Sequence, residues 1–353
     1  MLAFLPRIKK YDKFLFCLAT IYPLALFFLF NANKAQKYID SIGIQALIYV
    51  MLAWGLSIIV GSAGLFSLNY VVAYAVGAYA YVILGNNYGF SPWLLLPMSA
   101  ILSGACGLVL GLPSLKFRGD YLAIATFIIS EIVHNILIRW KPLTNGKAGL
   151  YIADRLMYLG ADLKGTLRFF RYPSSIVFYK IFMYYVVLFL CVLSAWIILR
   201  LRRTSMGNAW RTIKDNQRAF SSFNTTIIFS KLSAFSFGCM FAGVAGGLLA
   251  ASRGYVSPDM FKMSENIALI SIVILGGMTS LSHIAWVALI MISGMELLCG
   301  VNFYYFNSFL KFDCSFNMRH SILMIVSLFF VILLRSYSLI KLRYPSPFLD
   351  LKK

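Results

Sequence analysis

The chain is 353 residues long, and 60% of its residues are hydrophobic while only 12% are charged. Soluble domains are about 45–50% apolar and about 25% charged, so this composition excludes a water-soluble globular enzyme. The net charge of +20 would indicate nucleic-acid binding in a soluble protein. Here the basic residues lie between long apolar blocks, where membrane topology explains them better.

Apolar blocks recur along the whole chain and predict membrane-spanning helices. Residues 41–115 contain no Asp, Glu, Lys or Arg, and a span needs about 20 apolar residues, so this stretch has room for three passes. Backbone polar groups must be paired within a segment in lipid, which favours helices. We predict one all-α transmembrane domain over residues 1–353, a bundle of about ten helices. The predicted spans are 14–30, 43–60, 66–84, 93–112, 121–138, 178–199, 232–251, 267–278, 284–298 and 321–334.

One predicted span differs from the others in length. The segment at 267–278 is short for a crossing and would suit a re-entrant or broken helix, which membranes allow where the backbone lines a protein cavity. Glycines at close spacing also predict tight helix packing, because they let neighbouring backbones approach. The clearest pairs are Gly107 with Gly111 and Gly243 with Gly246.

Basic residues predict the orientation of the bundle. If both termini are cytoplasmic, the inner segments 1–13, 113–120, 200–231 and 335–353 hold 18 Lys and Arg residues. The short outer loops 31–42, 252–265 and 300–320 hold 6, in agreement with the positive-inside rule. The predicted extracytoplasmic loop at 141–175 carries six and departs from the rule, although loops of this length are weaker topology signals.

The fifth predicted span carries a charge. Glu131 lies near its middle, and His134 follows three residues later on the same face. A carboxylate at bilayer depth costs about 2.5–3.5 kcal/mol on insertion scales, which marks it as a functional candidate. We interpret the two residues as a buried polar pair that braces two helices, or as part of a polar translocation path. A di-iron site would need a second Glu-x-x-His motif, so no metal is expected.

The predicted cytoplasmic loop at 200–231 contains an amphipathic segment. Residues 205–224 predict a helix that ends at Asn224, a residue that tolerates the left-handed cap conformation. A basic stripe is formed by Arg211, Lys214 and Arg218. An apolar stripe is formed by Met206, Trp210, Ile213 and Phe220. Such a helix either lies on anionic lipid or docks into a groove of a partner, and its periodicity leaves both open.

Several short motifs follow one another between residues 61 and 287. They are Gly61-Ser-Ala-Gly-Leu-Phe-Ser-Leu68, Val76-Gly-Ala-Tyr79, Leu115-Lys-Phe-Arg-Gly-Asp-Tyr-Leu-Ala-Ile-Ala-Thr126 with Glu131-Ile132, Leu143-Thr-Asn-Gly146, Met206-Gly-Asn-Ala-Trp-Arg-Thr-Ile-Lys-Asp215, Gly254-Tyr-Val-Ser-Pro-Asp259 and Leu275-Gly-Gly277. Together, and in this order, they resemble the membrane permeases of branched-chain amino acid ABC importers of the LivM type.

The resemblance implies a transport subunit of the bacterial inner (plasma) membrane rather than an enzyme. Its expected partners are a second, LivH-like permease subunit, two cytoplasmic ABC ATPases and an extracytoplasmic solute-binding protein. ATP and Mg are expected on the ATPase subunits, and no cofactor is expected on this chain. In agreement, its sequence contains no Gly-x-x-x-x-Gly-Lys-Ser/Thr phosphate loop.

The resemblance also assigns candidate residues. The ATPase-coupling candidates are Met206, Gly207, Trp210, Arg211, Ile213, Lys214, Asp215 and Arg218. The translocation-path candidates are Asn69, Tyr70, Thr126, Glu131, Gly276 and Gly277. The family usually has Gly-His where this chain has Asn69-Tyr70, so the shape of the path is expected to differ.

The expected solutes are branched-chain or related amino acids, and other functions stay open. One alternative within the ABC importer class is a permease for urea or short amides. A second alternative, an ion-coupled secondary transporter, would need paired intramembrane carboxylates, and Glu131 and Glu296 are too few to favour it. An integral-membrane enzyme would need a nucleophile, an acid–base pair or a metal cluster near one interface, and the sequence suggests none.

Overall fold

The computed structural model describes residues 22–23, 38–117, 119–152, 175–215 and 224–305. Helices dominate this part of the chain, and two short strands, β1 (Leu150–Tyr151) and β2 (Tyr255–Val256), accompany them. The helices are α1 (Ile39–Ser62), α2 (Tyr70–Tyr88), α3 (Pro92–Gly111), α4 (Pro113–Lys116), α5 (Asp120–Arg139), α6 (Lys141–Thr144), α7 (Ser175–Leu201), α8 (Ser205–Asp215), α9 (Asn224–Arg253), α10 (Met263–Leu275) and α11 (Leu281–Tyr305). Turns of 3₁₀ type lie at Gly146–Ala148 and Pro258–Phe261.

Five helices of the described residues are long and apolar enough to cross a membrane. They are α1, α3 together with α4, α5, the Lys180–Leu201 part of α7 and the Ile227–Arg253 part of α9. These helices confirm the predicted spans at 43–60, 93–112, 121–138, 178–199 and 232–251. The predicted spans at 14–30 and 321–334 lie outside the described residues, apart from residues 22–23.

Three further predicted spans correspond to helices with different bounds. The prediction for 66–84 is wrong at its start, because residues 63–69 are not helical and α2 begins only at Tyr70. Helix α10 has 13 residues and is therefore about 20 Å long, short of the hydrocarbon core of about 30 Å. The short helix expected at 267–278 is thus present, and α11 follows it from Leu281.

Helix α9 lies at the centre of the bundle and packs against α1, α2 and α3. Small residues bring these backbones together: a Cβ on Gly77 of α2 would overlap the backbone of Gly243, and one on Gly107 of α3 would lie 2.7 Å from Cys239 Cβ. The hydroxyl of Ser103 on α3 lies 2.7 Å from the carbonyl oxygen of Cys239. The predicted role of the glycines in close helix packing is therefore confirmed.

The segments that follow α5 and α9 meet at one end of the bundle. Strands β1 and β2 pair antiparallel there, with Leu150 opposite Val256 and Tyr151 opposite Tyr255. This pairing is a small exception to the predicted all-α fold. It also places the two segments on the same side of the bundle, as the predicted topology requires.

Candidate functional site

The stretch between α1 and α2 is a non-helical segment that is partly buried in the bundle. Helix α1 ends in a wide π-type turn at Ser57–Ser62, and Gly64 then adopts a left-handed conformation with φ of 69°. Residues 63–69, the linking segment, are not assigned to a helix, and the side chains of Ser67 and Asn69 are buried. Buried backbone of this kind needs partners from elsewhere in the protein.

Side chains from two distant helices supply those partners. The Leu68 N–H donates to Thr126 Oγ1 of α5 at 2.9 Å, and the Leu68 carbonyl accepts from Asn266 Nδ2 of α10. The side-chain nitrogen Nδ2 of Asn69 donates to the Leu110 carbonyl of α3 at 3.0 Å. Non-helical backbone between two helices of the bundle is therefore stabilised by polar side chains, and interrupted helices are typical of transporter substrate sites.

Three of the predicted path residues lie at this segment. Asn69 is the last residue of the segment, and Thr126 accepts from its Leu68 N–H. Tyr70 is the first residue of α2, but its fully buried hydroxyl donates to the Gly238 carbonyl of α9 at 3.2 Å, away from the segment. Asn69 thus ties the segment to α3, whereas Tyr70 ties the start of α2 to α9.

The first turn of α10 adds two polar residues that the sequence analysis missed. Glu265 is 4% exposed and accepts a hydrogen bond from the Tyr49 hydroxyl of α1, and Asn266 is fully buried. The sequence signal was available, because an acidic residue directly precedes the predicted span at 267–278. The sequence analysis places Glu265 in the outer loop at 252–265. We call Ser67, the Leu68 backbone, Thr126, Glu265 and Asn266 the polar site.

Helix α8 begins at Ser205 as predicted and turns its apolar stripe towards its own chain. Trp210 is fully buried, its Nε1 donates to Ser233 Oγ of α9 at 3.1 Å, and Ile213 is buried beside it. Trp210 and Ile213 are therefore covered by the bundle rather than by lipid or a partner groove, while Phe220 lies outside the described residues. The predicted C-cap is wrong, since Asn224 is the first residue of α9.

Two cations hold α8 and the residues before it to the ends of α1 and α10. Lys214 Nζ donates to the Gly61 carbonyl at 3.0 Å. Arg202 donates to Ser57 Oγ at 2.9 Å and to the Thr279 carbonyl at 2.5 Å. Burial, with a smaller contribution from Arg211, lowers the pKa of the Arg202 guanidinium to about 10, so it stays charged at neutral pH. We call this set of contacts the α8 junction.

Gly276 and Gly277 lie in the turn after α10, at the α8 junction and not at the polar site. A Cβ on Gly276 would lie 2.6 Å from Ile284 Cα, and Gly277 has a φ of 80°. The next residue, Met278, presents its carbonyl against Gly61. The structure therefore separates the predicted path residues into two groups at different ends of α10.

The remaining coupling candidates define what α8 offers to the outside. Gly207 packs against the Arg202 backbone and Met206 is half-buried, whereas Arg211 and Lys214 are exposed together with Asn208. The side chain of Asp215 and the whole of Arg218 lie outside the described residues. An exposed polar and basic face is thus what another protein or the lipid surface would meet.

Glu131 does not lie where the sequence interpretation expected. It is exposed on α5 between Ile128 and Ile132, which are themselves about half exposed. The prediction that Glu131 and His134 form a buried polar pair that braces two helices is therefore wrong. The carboxylate faces whatever covers α5, either lipid or another chain. The side chain of Glu296 lies outside the described residues.

Residues 38–331 match the sequence model of a family described as branched-chain amino acid transport system, permease component. The chain is 37% identical over 275 residues to the high-affinity branched-chain amino acid transport system permease protein LivM of Salmonella typhimurium, covering 74% of this chain and 64% of that protein. It is 37% identical over 270 residues to LivM of Escherichia coli, covering 73% and 63% of the two chains.

A third relative is more distant. The chain is 25% identical over 158 residues to a probable branched-chain amino acid transport permease protein LivM of Methanocaldococcus jannaschii, covering 44% and 41% of the two chains. The chain thus spans a little under two thirds of the length of the two relatives from Salmonella typhimurium and Escherichia coli. No solved structure matches it.

Proposed function

The chain belongs to the family of permease components of branched-chain amino acid transport systems, and on this premise we propose that it is the permease subunit of an ATP-binding cassette importer. It moves branched-chain or related amino acids across the bacterial inner membrane. The observation that carries the proposal is the non-helical segment 63–69, whose Leu68 backbone is bonded by Thr126 and Asn266. Transporters use such interruptions to place polar groups at the level of the bilayer.

The energy for transport comes from partner subunits. Support comes from α8, whose apolar face is taken up by its own bundle and whose exposed face carries Arg211 and Asn208. In this proposal the exposed face docks on a cytoplasmic ATPase, one of two that bind ATP and Mg. A second, LivH-like permease completes the membrane unit, and an extracytoplasmic binding protein delivers the solute.

The proposed orientation rests on the distribution of basic residues, and it assigns a side to the α8 junction. Helix α8 lies on the cytoplasmic side in the proposed topology, with the ends of α1 and α10 that Lys214 and Arg202 contact. The strand pair β1–β2 then lies on the outer side, with the loop at 141–175. About ten spans with both termini in the cytoplasm complete this topology.

An ion-coupled secondary transporter stays as the second candidate because of one observation. Glu265 adds a buried carboxylate that the sequence argument against ion coupling did not count. Intramembrane carboxylates are the usual groups of proton relays. The two candidates differ in whether solute accumulates without an ATPase.

The deciding experiment is uptake into liposomes that contain the full chain, its partner permease and the ATPases, with the binding protein on the outer side. We expect accumulation of radiolabelled leucine only when ATP is supplied, with competition by isoleucine and valine but not by urea or acetamide. Competition by urea or acetamide instead would favour the amide permease. Accumulation by the purified chain alone, against a gradient and without any ATPase, would overturn the proposal in favour of the secondary transporter.

A further inference from the structure

Helix α5 is attached to the bundle along one narrow stripe. Its buried residues recur at every fourth position and are Leu122, Thr126 and Ser130. The exposed residues on the opposite side of the helix include Ile124, Ile128, Glu131 and Asn135. We call these four residues the α5 face. The described part of the bundle leaves this face uncovered, so its chemistry decides what can lie against it.

A charged residue lies in the middle of the α5 face. At 1.5 Å per residue, Glu131 is about 16 Å from the start of α5 at Asp120 and about 12 Å from its end at Arg139. Helix α5 is long and apolar enough to cross the hydrocarbon core, which is about 30 Å thick. A Glu side chain is too short to reach the headgroups from that depth. Charged residues in spans are paired, so Glu131 needs a partner within the membrane.

Charged residues in other spans of this chain do have partners. Lys180 Nζ lies 2.7 Å from Asp40 Oδ1, and Lys231 Nζ donates to a backbone carbonyl of α4 at 2.7 Å. The Glu131 carboxylate makes no hydrogen bond or ion pair with any described residue, the neighbouring His134 included. Its partner must therefore come from elsewhere.

Neither the remaining spans of this chain nor a second copy supplies a cation. The predicted spans outside the described residues, 14–30 and 321–334, contain no Lys, Arg or His. A second copy in a symmetric contact on this face would bring another Glu131 against the first, and like charges at close range oppose association. The partner that fits is a different membrane protein with a basic side chain in a span.

Asn135, one turn beyond Glu131, strengthens the preference for a cation. Its Nδ2 donates to the Glu131 backbone carbonyl at 2.9 Å, which leaves its Oδ1 as an acceptor. The face thus presents a carboxylate and an amide oxygen about 6 Å apart along the helix. The exposed side of α3 differs, because residues such as Ile101 belong to a helix without any charged residue and suit contact with lipid.

We propose that the α5 face is the contact surface for the second permease subunit, and that a spanning helix of that subunit places a Lys or Arg side chain against Glu131 and Asn135. This inference rests on the proposed function, which supplies the second membrane protein, and it adds the surface and the chemistry of the contact. In the assembled complex the Glu131 carboxylate is covered and neutralised. The same charge selects a partner of opposite charge over a second copy of this chain.

The test is the affinity between the labelled full chain and the labelled second permease, measured by fluorescence energy transfer in liposomes at increasing dilution. Glu131→Leu and Glu131→Gln should each weaken association by about tenfold or more, because removing one member of a covered charge pair leaves the other uncompensated. Ile128→Ala trims the same face and should weaken association less. Ile101→Ala is the matched control on α3 and should have no effect, although Ile101 is 62% exposed and Ile128 is 50% exposed.

Photo-crosslinking locates the contact independently of affinity. Benzoylphenylalanine in place of Ile128 should join the two permeases in the complete complex, and in place of Ile101 it should not. A complex that transports leucine but gives no crosslink from position 128 would overturn the inference. Normal association of the Glu131 variants would also overturn it, and their loss of uptake would then return Glu131 to the translocation path.

Unfolding of the full chain on its own in SDS separates a role between subunits from a role within the chain. Glu131→Leu should not destabilise the chain alone, because no described residue pairs with the carboxylate. A clear loss of stability there would place the missing partner within this chain and overturn the inference. All of these outcomes leave the proposed function intact. A wild-type chain that associates with the second permease but shows no ATP-driven leucine uptake in the complete complex would instead refute the proposed function.

Discussion

Thr126→Val tests whether the linking segment depends on a single side-chain acceptor. Thr126 is fully buried, and its Oγ1 accepts from the Leu68 N–H at 2.9 Å and donates to the Leu122 carbonyl at 2.8 Å. Valine has nearly the same volume but no acceptor. The Leu68 N–H would therefore be left buried and unpaired.

The expected cost follows from that one orphaned donor. An unpaired buried donor costs about 1–3 kcal/mol, whereas the Leu122 carbonyl keeps its bond within α5. We expect the free energy of unfolding to fall by about 1–3 kcal/mol in Thr126→Val. Thr126→Ser keeps the hydroxyl and loses one methyl group, so its loss should stay near 0.8 kcal/mol.

The measurement is SDS-induced unfolding of the purified full chain, followed by circular dichroism. Thr212→Val is the matched control, because the Thr212 hydroxyl donates to the Asn208 carbonyl at 2.8 Å inside α8 and its removal orphans no backbone donor. The control should stay within about 0.5 kcal/mol of the wild type. Wild-type stability of Thr126→Val, or an equal loss in Thr212→Val, would refute the dependence of the segment on Thr126.

Three further substitutions probe packing and the α8 junction. Gly77→Ala places a Cβ against the backbone of α9 and should lower the free energy of unfolding by about 1–3 kcal/mol in the same assay. Gly294→Ala, with nothing within 4 Å of its Cβ, should be neutral or slightly stabilising. Equal effects of the two changes would contradict the packing argument. Arg211→Glu reverses an exposed charge on α8, so the free energy of unfolding should be unchanged while ATP-driven uptake falls. Normal uptake in this variant would reject the docking of α8 on an ATPase. Lys214→Met removes the hydrogen bond to the Gly61 carbonyl and should lower the amount of solute taken up per ATP hydrolysed. Lys214→Arg should restore it. An unchanged uptake per ATP in Lys214→Met would contradict the role of the α8 junction.

The bundle could be predicted because its causes are local in the sequence. Uninterrupted apolar blocks fix the spans, and the glycines of α3 and α9 recur at the spacing that brings backbones into contact. The start of α8 at Ser205 and its two stripes also followed from periodicity. Periodicity shows which face of a helix is apolar but not what covers it, so the burial of Trp210 in its own bundle could not be deduced.

The linking segment could not be predicted because its causes are distant in the sequence. The sequence predicts residues 66–69 as part of an apolar helix. Their non-helical conformation is stabilised by hydrogen bonds of the Leu68 backbone to Thr126 and Asn266, which are 58 and 198 residues away in the sequence. Glu265 was missed for a related reason. It lies at the boundary between a loop and a short span, and the Tyr49 hydroxyl that donates to its buried carboxylate is 216 residues away.

Helices α1 and α10 both run from the polar site to the α8 junction. On α1, Tyr49 contacts Glu265 and Gly61 accepts from Lys214, and these two positions are about 18 Å apart along the helix. On α10, Glu265 lies in the first turn, and Thr279 in the turn that follows the helix accepts from Arg202.

This arrangement limits how a movement of α8 would reach the polar site. Packed helices shift as rigid bodies, so a displacement at one end of α1 or α10 appears at the other without a chain of side-chain rearrangements. A two-state response still needs a place where the backbone can change. The π-type turn at Ser57–Ser62 and the non-helical residues 63–69 provide it, because both lie outside the regular α-helical part of α1 and next to both sets of contacts.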